Sequence, residues 1–295
     1  MSATTNPSDF PPATSGRRRF DIGKLLIYVI LISGVVVTIT PLLWTISTSL
    51  KSPRQLSEWP PQWIPDPVMW SNYSESLTML PFDRYFLNTM VLVVAAEFGA
   101  LVTCSFVAYG FARMEFPGRE PLFLLLISTM LMPYIVRLVP LFVFYGEIGW
   151  LGTYLPLAVP DLLGRNAFYI FLLRQFFRGI PGDLSDAARI DGANDFRIWW
   201  SIIMPLSKPV LATVAIFTFQ STWDDFLGPL IYMGQNPDMR TLAVGLYQFR
   251  NAPGGENLMP YLMAVSAVMM VPILLIFGFG QRYLIRGVTM SGLKG

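Results

Sequence analysis

Six long runs of mostly apolar residues dominate this sequence. A helix rises 1.5 Å per residue, so about 20 residues cross the roughly 30 Å hydrocarbon core of a bilayer. The runs are Leu25–Leu50, Asn88–Met114, Pro121–Tyr145, Tyr154–Phe177, Pro205–Tyr232 and Pro260–Ile285. Of the 295 residues, 53% are hydrophobic and 14% are charged, a more apolar balance than that of soluble domains. The sequence predicts an all-α membrane protein with six transmembrane helices.

The distribution of lysines and arginines predicts the orientation of these helices. Most of the 21 basic residues fall on one side if the spans alternate, and loops on the cytoplasmic side are enriched in them. Both termini are therefore expected in the cytoplasm. This places a disordered tail at residues 1–23, rich in Ser, Thr and Pro, before a transmembrane domain at residues 24–295. The extracytoplasmic loops are then 51–86 and 233–259, and a cytoplasmic loop is 178–204.

Three arginines precede the first span. Arg17–Arg18–Arg19–Phe20 resembles a twin-arginine export signal, but the following apolar run is long and has no small-residue cleavage site. We interpret the arginines as the positive flank of an uncleaved span.

The composition argues against several kinds of chemistry. The chain has no histidine and one cysteine, Cys104, which excludes an internal disulfide and histidine-based catalysis and argues against most metal sites. No phosphate-cradling glycine loop followed by lysine is present. We expect no cofactor on this chain, and any ATP that drives it binds another chain.

The cytoplasmic loop contains a polar segment with a helix signature. Asp183 follows Ile-Pro-Gly and is predicted to cap a short helix, with Asp186 favoured near its amino terminus by the helix dipole. A narrow face of this helix is made of Leu184, Ala187 and Ala188. Gly192 suits the left-handed residue that ends a helix. Small side chains on that face allow close approach of another surface.

A second helix is predicted directly after Gly192, with Asn194 or Asp195 as its cap. Its apolar stripe is Phe196, Trp199, Trp200 and Ile203. Tryptophan favours the membrane–water boundary, so this helix is expected to lie along the cytoplasmic interface before Pro205 opens the fifth span.

The segment resembles the EAA loop of bacterial ABC importer permeases, which reads Glu-Ala-Ala, three residues, Gly, nine residues, then Ile-x-Leu-Pro. Here the order is Asp186-Ala187-Ala188, three residues, Gly192, nine residues, then Ile202-Ile203-Met204-Pro205. The spacing matches throughout, with Asp in place of Glu and Met in place of Leu. An amphipathic hairpin on the membrane surface is the alternative, but it does not require the two alanines or Gly192.

The resemblance extends along nearly the whole chain and is to the carbohydrate-uptake branch, similar to the second permease of the maltose system. Its further marks are Asn166-Ala167-Phe168, Phe171–Phe177, Trp223–Leu230, Gln281–Tyr283, Gly287 and Gly292–Gly295. It implies a bacterial or archaeal inner-membrane subunit in a heterodimer with another permease, with two ATPase subunits that hold ATP and Mg²⁺ and an extracytoplasmic solute-binding protein. Leu184, Asp186, Ala187, Ala188, Gly192 and Pro205 would then couple to the ATPase. Contacts with a sugar and with lipid are expected, and none with nucleic acid.

Charged residues inside spans are candidates for the translocation path, since each costs at least about 2.5 kcal/mol on insertion scales unless it is paired or hydrated. The charged candidates are Glu97, Arg165 and Asp225, and Asn166 beside Arg165 and Trp223 near Asp225 are added to them. Arg165 has two interpretations: a structural pair with Asp161 or Glu97, or a side chain that faces the path. Trp223 could stack on a sugar or anchor the boundary. Prolines 133, 140, 156 and 160 are expected to bend spans three and four.

Three classes of function remain to be compared. The resemblance favours a transport subunit that holds half of a translocation pathway and does not itself hydrolyse ATP. Buried carboxylates would also suit a secondary transporter driven by an ion gradient. A membrane enzyme is disfavoured, because no nucleophile and base stand together.

Overall fold

The computed structural model describes residues 22–251 and 258–291, with the backbone alone from residue 282 onward. Every regular element in these ranges is helical. The first half contains α1 (Ile22–Ser49), α2 (Pro53–Leu56), α3 (Ser71–Met79), α4 (Phe82–Phe98), α5 (Cys104–Arg113), α6 (Arg119–Ser128) and α7 (Tyr134–Glu147). The second half contains α8 (Leu155–Leu162), α9 (Ala167–Arg178), α10 (Asp183–Ile190), α11 (Asp195–Ile198), α12 (Met204–Leu206), α13 (Lys208–Trp223), α14 (Leu227–Tyr232), α15 (Leu242–Arg250) and α16 (Met259–Ser291). The predicted all-α class is confirmed for this part of the chain.

Three helical stretches are long and apolar enough to cross a membrane. They are Ile22–Ser49, Phe82–Arg113 and Met259–Gln281, and they overlap the first, second and sixth predicted spans. The second stretch is continuous because a π-helical turn at Gly99–Thr103 joins α4 to α5. The described residues thus contain three such helices, against six predicted spans.

Two further candidates are helices with a sharp bend. Arg119–Leu131 and Tyr134–Glu147 meet at 97°, and Asp195–Leu206 and Lys208–Trp223 meet at 83°. Pro133 lies within the first break, as predicted, because the residue before a proline disfavours helical geometry. Counting each pair as one span gives up to five candidates in the described ranges.

The fourth predicted span, Tyr154–Phe177, is two helices rather than one. Residues 163–166 separate α8 from α9. Gly164 has a φ of +75°, which a helix does not accommodate, and Asn166 caps the new helix by accepting a hydrogen bond from the Tyr169 N–H at 3.3 Å. The break therefore follows from a glycine and a cap that the hydrophobic run concealed.

The chain divides into two compact units at Trp44. In the first unit, the described part is the helix from Ile22 to Trp44. Its apolar side chains are mostly exposed, with Val37 at 72% and Ile30 at 62%. An all-round apolar helix with exposed side chains suits a lipid environment.

The second unit begins at Thr45 and has its main core where α5 packs along α9. Ala108, Leu173 and Phe177 are fully buried in this contact. Elsewhere α13 packs against α4 and α16. The α5–α9 contact lies directly beside the predicted cytoplasmic loop and so fixes its position.

The first predicted outer loop is held together by buried polar groups. The Asn72 side-chain amide donates to the Ser49 and Lys51 carbonyls at 2.8 Å each, and Lys51 Nζ donates to the Gln62 carbonyl. Its tryptophans remain outside, with Trp59 88% exposed. Helix α4 begins at Phe82, inside the range 51–86 predicted for this loop.

Several sequence predictions lie outside the described residues. These are the tail up to residue 21, including Arg17–Arg19, and the terminal residues 292–295.

Candidate functional site

The polar segment predicted from sequence forms helix α10. Its cap was predicted wrongly: Gly182 occupies the cap position without a side-chain hydrogen bond, and its carbonyl accepts from Ser185 and Asp186 at 2.8 and 3.1 Å. Asp183 is instead the first helical residue. Because Gly182 already has helical φ and ψ, the helix begins one residue earlier than the cap rule suggests.

The end of α10 agrees with the prediction. Gly192 has a φ of +83°, and the Ala193 N–H donates to the Ala188 carbonyl at 2.9 Å, which closes the helix. A Cβ built on Gly192 would have no atom within 4 Å. Glycine is required here by backbone conformation alone, not by crowding.

The predicted close-approach face of α10 is open. Leu184 is 44% exposed, Ala187 is exposed and Ala188 is half-buried. Ile190, which the sequence analysis did not select, is 87% exposed on the same short helix. No local signal in the sequence marks it, since a single exposed apolar side chain is normal on a protein surface.

The second helix follows α10 as predicted, but its apolar face differs. Asn194 caps α11 by accepting from the Arg197 N–H at 2.8 Å. Trp199 and Ile203 are buried, together with Ile198, whereas Phe196 and Trp200 are 60% and 56% exposed.

The altered face has a structural cause. Trp199–Ile203 is a π-helical turn, whose hydrogen bonds link residues five apart, and this wider turn brings Ile198 and Ile203 to one face. The predicted stripe was wrong in half of its members because it assumed an α-helical repeat. Pro205 lies just beyond, in α12, next to the 83° bend into α13.

A hydrogen-bond network joins α10 to the end of the second span. Asp195 Oδ1 accepts from the Tyr109 hydroxyl at 2.9 Å and from Arg189 at 3.0 Å. Arg189 also donates to Asp186 Oδ1 at 3.1 Å. The hydrogen bonds from Arg189 and Tyr109 hold the pKa of Asp195 below its usual range, so the carboxylate is charged at neutral pH. Neither Tyr109 nor this network was identified from the sequence.

Arg113, one helical turn after Tyr109, contacts the segment that precedes α10 in the sequence. Its guanidinium donates to the Phe177 carbonyl at 2.7 Å and to the Ile180 carbonyl at 2.5 Å. These carbonyls belong to the end of α9 and the turn before α10. Arg113 thus holds the end of α9 and the turn before α10 against α5.

A polar cavity of about 230 Å³ lies among the predicted membrane-depth residues. Its polar lining consists of Asp161, Arg165, Asn166, Tyr169, Thr218, Ser221, Thr222 and Asp225, and its apolar lining includes Leu92, Ala96, Ala100, Cys104 and Leu157. A more open groove of about 470 Å³ shares Asn166, Tyr169 and Ser221 with it. The structure therefore brings together three of the five predicted path residues.

The position of Arg165 agrees with both interpretations that the sequence left open, a structural pair and a side chain that faces the path. Its Nε lies 2.5 Å from Asp161 Oδ1, and its side chain is 44% exposed at the cavity. The π-helical turn supports this wall: the Thr103 hydroxyl donates to the Leu162 carbonyl at 2.8 Å. A Cβ on Gly99 would come within 1.7 Å of the Asp161 carbonyl oxygen, so only glycine permits this approach.

Asp225 and Thr218 reach the cavity from the fifth span. Asp225 Oδ1 accepts from the Gly228 N–H at 3.1 Å, in the first turn of α14, which orients the carboxylate. Thr218 is buried, and its hydroxyl oxygen has no hydrogen-bond partner among the described residues. A polar cavity with carboxylate, guanidinium, amide and hydroxyl groups can bind a hydroxylated solute through hydrogen bonds.

The other two predicted path residues lie elsewhere. Trp223 is 2% exposed, stacks on Phe219 at 5.2 Å between ring centroids and donates its indole N–H to the Met269 carbonyl at 3.1 Å. Its surroundings agree with the structural interpretation rather than with a stacking surface. Glu97 is half-buried on α4 and does not line the cavity. Of its two predicted partners, Asp161 and Glu97, Arg165 forms its ion pair with Asp161 in the described residues.

Comparison with known proteins gives a consistent result. Residues 100–290 match the model of a family described as binding-protein-dependent transport system inner membrane component. The diacetylchitobiose uptake system permease protein NgcG of Streptomyces coelicolor is 31% identical over 96% of this chain and 92% of its own. The arabinooligosaccharides transport system permease protein AraQ of Halalkalibacterium halodurans is 36% identical over 72% of this chain and 74% of its own.

Two further similarities broaden this comparison. The sn-glycerol-3-phosphate transport system permease protein UgpE of Rhizobium meliloti is 29% identical over 91% of this chain and 96% of its own. Among solved structures, a bacterial ABC transporter involved in the import of the acidic polysaccharide alginate contains a chain with a TM-score of 0.80. The two chains are 22% identical, and the match covers 89% of this chain and 96% of the other. That likeness establishes the shared fold.

Proposed function

The chain belongs to the family of binding-protein-dependent transport system inner membrane components, and from this premise we propose that it carries a sugar or sugar-like solute. It is the permease subunit of an ABC importer and a transport subunit rather than an enzyme. Uptake permeases for chitobiose, arabinooligosaccharides and glycerol phosphate are among the proteins that it resembles. The secondary-transporter alternative loses its support, because members of this family work with binding proteins.

The single observation that carries the mechanism is the exposed face of α10 behind a left-handed Gly192. We assign Leu184, Asp186, Ala187 and Ala188 to docking on an ATPase subunit, with Pro205 at the bend that turns the chain into the membrane. Closure of the ATPase subunits would move α10 and convert the pathway between outward and inward access. ATP and Mg²⁺ bind the ATPase subunits, not this chain.

The proposed arrangement has six spans, with both termini in the cytoplasm of a bacterial or archaeal cell. The bent pair of α6 and α7 counts as the third span, α8 with α9 counts as the fourth, and α13 with α14 counts as the fifth. Residues 178–204 are then cytoplasmic, and residues 51–86 and 233–259 are extracytoplasmic. The complex contains a second permease in a heterodimer, two ATPase subunits and a solute-binding protein that meets the outer loops.

The cavity is our candidate for this subunit's part of the translocation path. Arg165, Asn166 and Asp225 supply charged and amide groups that bind hydroxyls, and hydration of the cavity lowers the cost of charge at membrane depth. Asp161 joins them as the partner of Arg165. Glu97 and Trp223 are left out of the path because neither lines this cavity.

Co-purification tests the function. The tagged chain should bring with it a second permease, an ATPase and a binding protein, and a sugar that raises the melting temperature of that binding protein identifies the solute. Proteoliposomes of the complex should take up that sugar only with ATP and the binding protein. Uptake by this chain alone on an ion gradient would overturn the proposal.

A further inference from the structure

Helix α10 is fastened at both of its ends to the same transmembrane helix. Before α10, the Ile180 and Phe177 carbonyls accept from Arg113. After α10, Asp195 accepts from Tyr109. Tyr109 and Arg113 are four residues apart on α5, so they lie on one face of that helix, one turn from each other.

The two fastenings are short, part-buried and charge-assisted. Tyr109 is 1% exposed, and its hydroxyl meets a carboxylate; the Arg113 guanidinium meets two carbonyls. Hydrogen bonds of this kind are about twice as strong as those between neutral groups. Arg189 links the second fastening back into α10, because it donates to Asp186 as well as to Asp195. The short helix therefore cannot tilt without moving α5 or breaking these bonds.

The other end of the same transmembrane helix supports the cavity. The π-helical turn joins the amino-terminal end of α5. In this turn Thr103 donates to the Leu162 carbonyl, and Gly99 abuts the Asp161 backbone. Asp161 carries the cavity's ion pair with Arg165. A π-helical turn has a weaker and wider hydrogen-bond repeat than an α-helix and often marks a functional position. One helix therefore joins the cytoplasmic face to the cavity wall.

We infer that Tyr109 and Arg113 are positioning residues for α10, and that α5 is the helix through which movement of α10 reaches the cavity. This inference rests on the proposed function, since it takes α10 as the ATPase-docking helix. Tyr109 acts through Asp195, and Arg113 acts through the carbonyls of the α9–α10 turn. Neither residue is required to touch the ATPase.

A double-mutant cycle on Tyr109 and Asp195 tests the inference. Tyr109→Phe keeps the buried ring and removes one hydroxyl, so the fold should survive. In the assembled complex we expect about tenfold weaker ATPase-subunit binding and about tenfold faster amide exchange at residues 183–195, the loss that corresponds to one hydrogen bond to a charged group. Asp195→Asn should give a similar loss, and the double variant should be no worse than Asp195→Asn alone.

Matched controls separate positioning from general destabilisation. Tyr154→Phe removes a comparable hydroxyl hydrogen bond, made to Asn88 at 2.5 Å. It should change neither ATPase-subunit binding nor amide exchange at residues 183–195. Exchange across α9 should also stay unchanged in Tyr109→Phe. Arg113→Lys keeps the charge but is shorter and loses Nη2, the nitrogen that donates to both carbonyls, so it should behave like Tyr109→Phe.

The outcomes decide between the two proposals. Unchanged ATPase binding and exchange in Tyr109→Phe, or effects of the two substitutions that simply add, would overturn the positioning role. If Gly192→Val still abolishes ATPase binding in that case, docking through α10 stands and the positioning inference alone fails. If Gly192→Val also binds normally, the proposed function fails with it.

Discussion

The carboxylate of Asp161, in the last turn of α8, lies 2.5 Å from Nε of Arg165, in the break between α8 and α9, and both residues line one polar cavity. Four residues separate them in sequence, yet Gly164 with its φ of +75° stands between them. The pair thus neutralises charge at the proposed membrane depth and also presents a half-exposed guanidinium to the cavity. This double role makes its contribution to assembly and its contribution to transport separable.

The first prediction separates those two contributions. Arg165→Ala leaves Asp161 without its partner, so both assembly and uptake should fall. Asp161→Asn combined with Arg165→Gln removes both charges, and we expect assembled complex within twofold of wild type but uptake per complex at least about tenfold lower. The measurement is solute uptake normalised to complex recovered from the membrane. Wild-type uptake in the double variant would restrict the pair to a structural role.

The second prediction concerns the backbone at Gly192. Valine tolerates positive φ poorly and should cost more than about 1 kcal/mol, although no atom would clash with it. ATPase binding and uptake should be lost while the protein remains in the membrane. Asn, which adopts the left-handed region more readily, should retain most activity at this position.

Gly118 provides a matched control for this prediction. It has a φ of +79°, also with no atom near a built Cβ, but precedes α6 instead of following α10. Gly118→Val carries the same backbone strain and should keep ATPase binding. Equal loss in both variants would attribute the effect to strain in general.

Gly192 also shows how far the sequence could be interpreted. The all-helical class, the succession of α10 and α11 and the left-handed glycine follow from local rules on spacing, caps and backbone conformation. They are confirmed in the described residues. The break at residues 163–166 and the π-helical turns were not predicted, because hydrophobic runs report burial in lipid and do not report the helical repeat. The apolar stripe predicted around Trp199 was wrong in two of its four residues, because the prediction assumed an α-helical repeat where a π-helical turn is present.

The candidate site shows the same division. Arg165 and its partner Asp161 lie four residues apart, so the pairing could be predicted from sequence. Tyr109 and Asp195 are 86 residues apart, and nothing local marks them as neighbours. Such contacts depend on how helices pack, and single-sequence patterns contain little of that information.

The third prediction is steric. Gly99→Ala would place a methyl group within 1.7 Å of the Asp161 carbonyl oxygen, so α4 and α8 must separate. We expect destabilisation of about 1–3 kcal/mol or more, read as a lower melting temperature of the purified complex, together with altered uptake. Gly34→Ala is the control, since a Cβ there has no atom within 4 Å and alanine favours helix. Unchanged stability in Gly99→Ala would show that this contact yields easily.

The fourth prediction concerns pH. Hydrogen bonds from Arg189 and Tyr109 lower the pKa of Asp195, so its stabilising effect is fully present above the unfolded value of about 3.9 and is lost as pH falls through the folded value. The difference in melting temperature between wild type and Asp195→Asn should be constant from about pH 5 to 8. It should narrow only below about pH 4. A difference that disappears between pH 6 and 7 would contradict the network.

The most direct test of the central claim is chemical cross-linking from α10 in the assembled complex. A short photoreactive reagent attached to Ala187→Cys should yield one dominant adduct, with the ATPase subunit, while the same reagent on Trp59→Cys in the exposed outer loop should yield none with it. The natural Cys104 is buried, so it should contribute no background. Adducts of Ala187→Cys with lipid alone, or with the partner permease alone, would contradict the account that this helix docks on the ATPase.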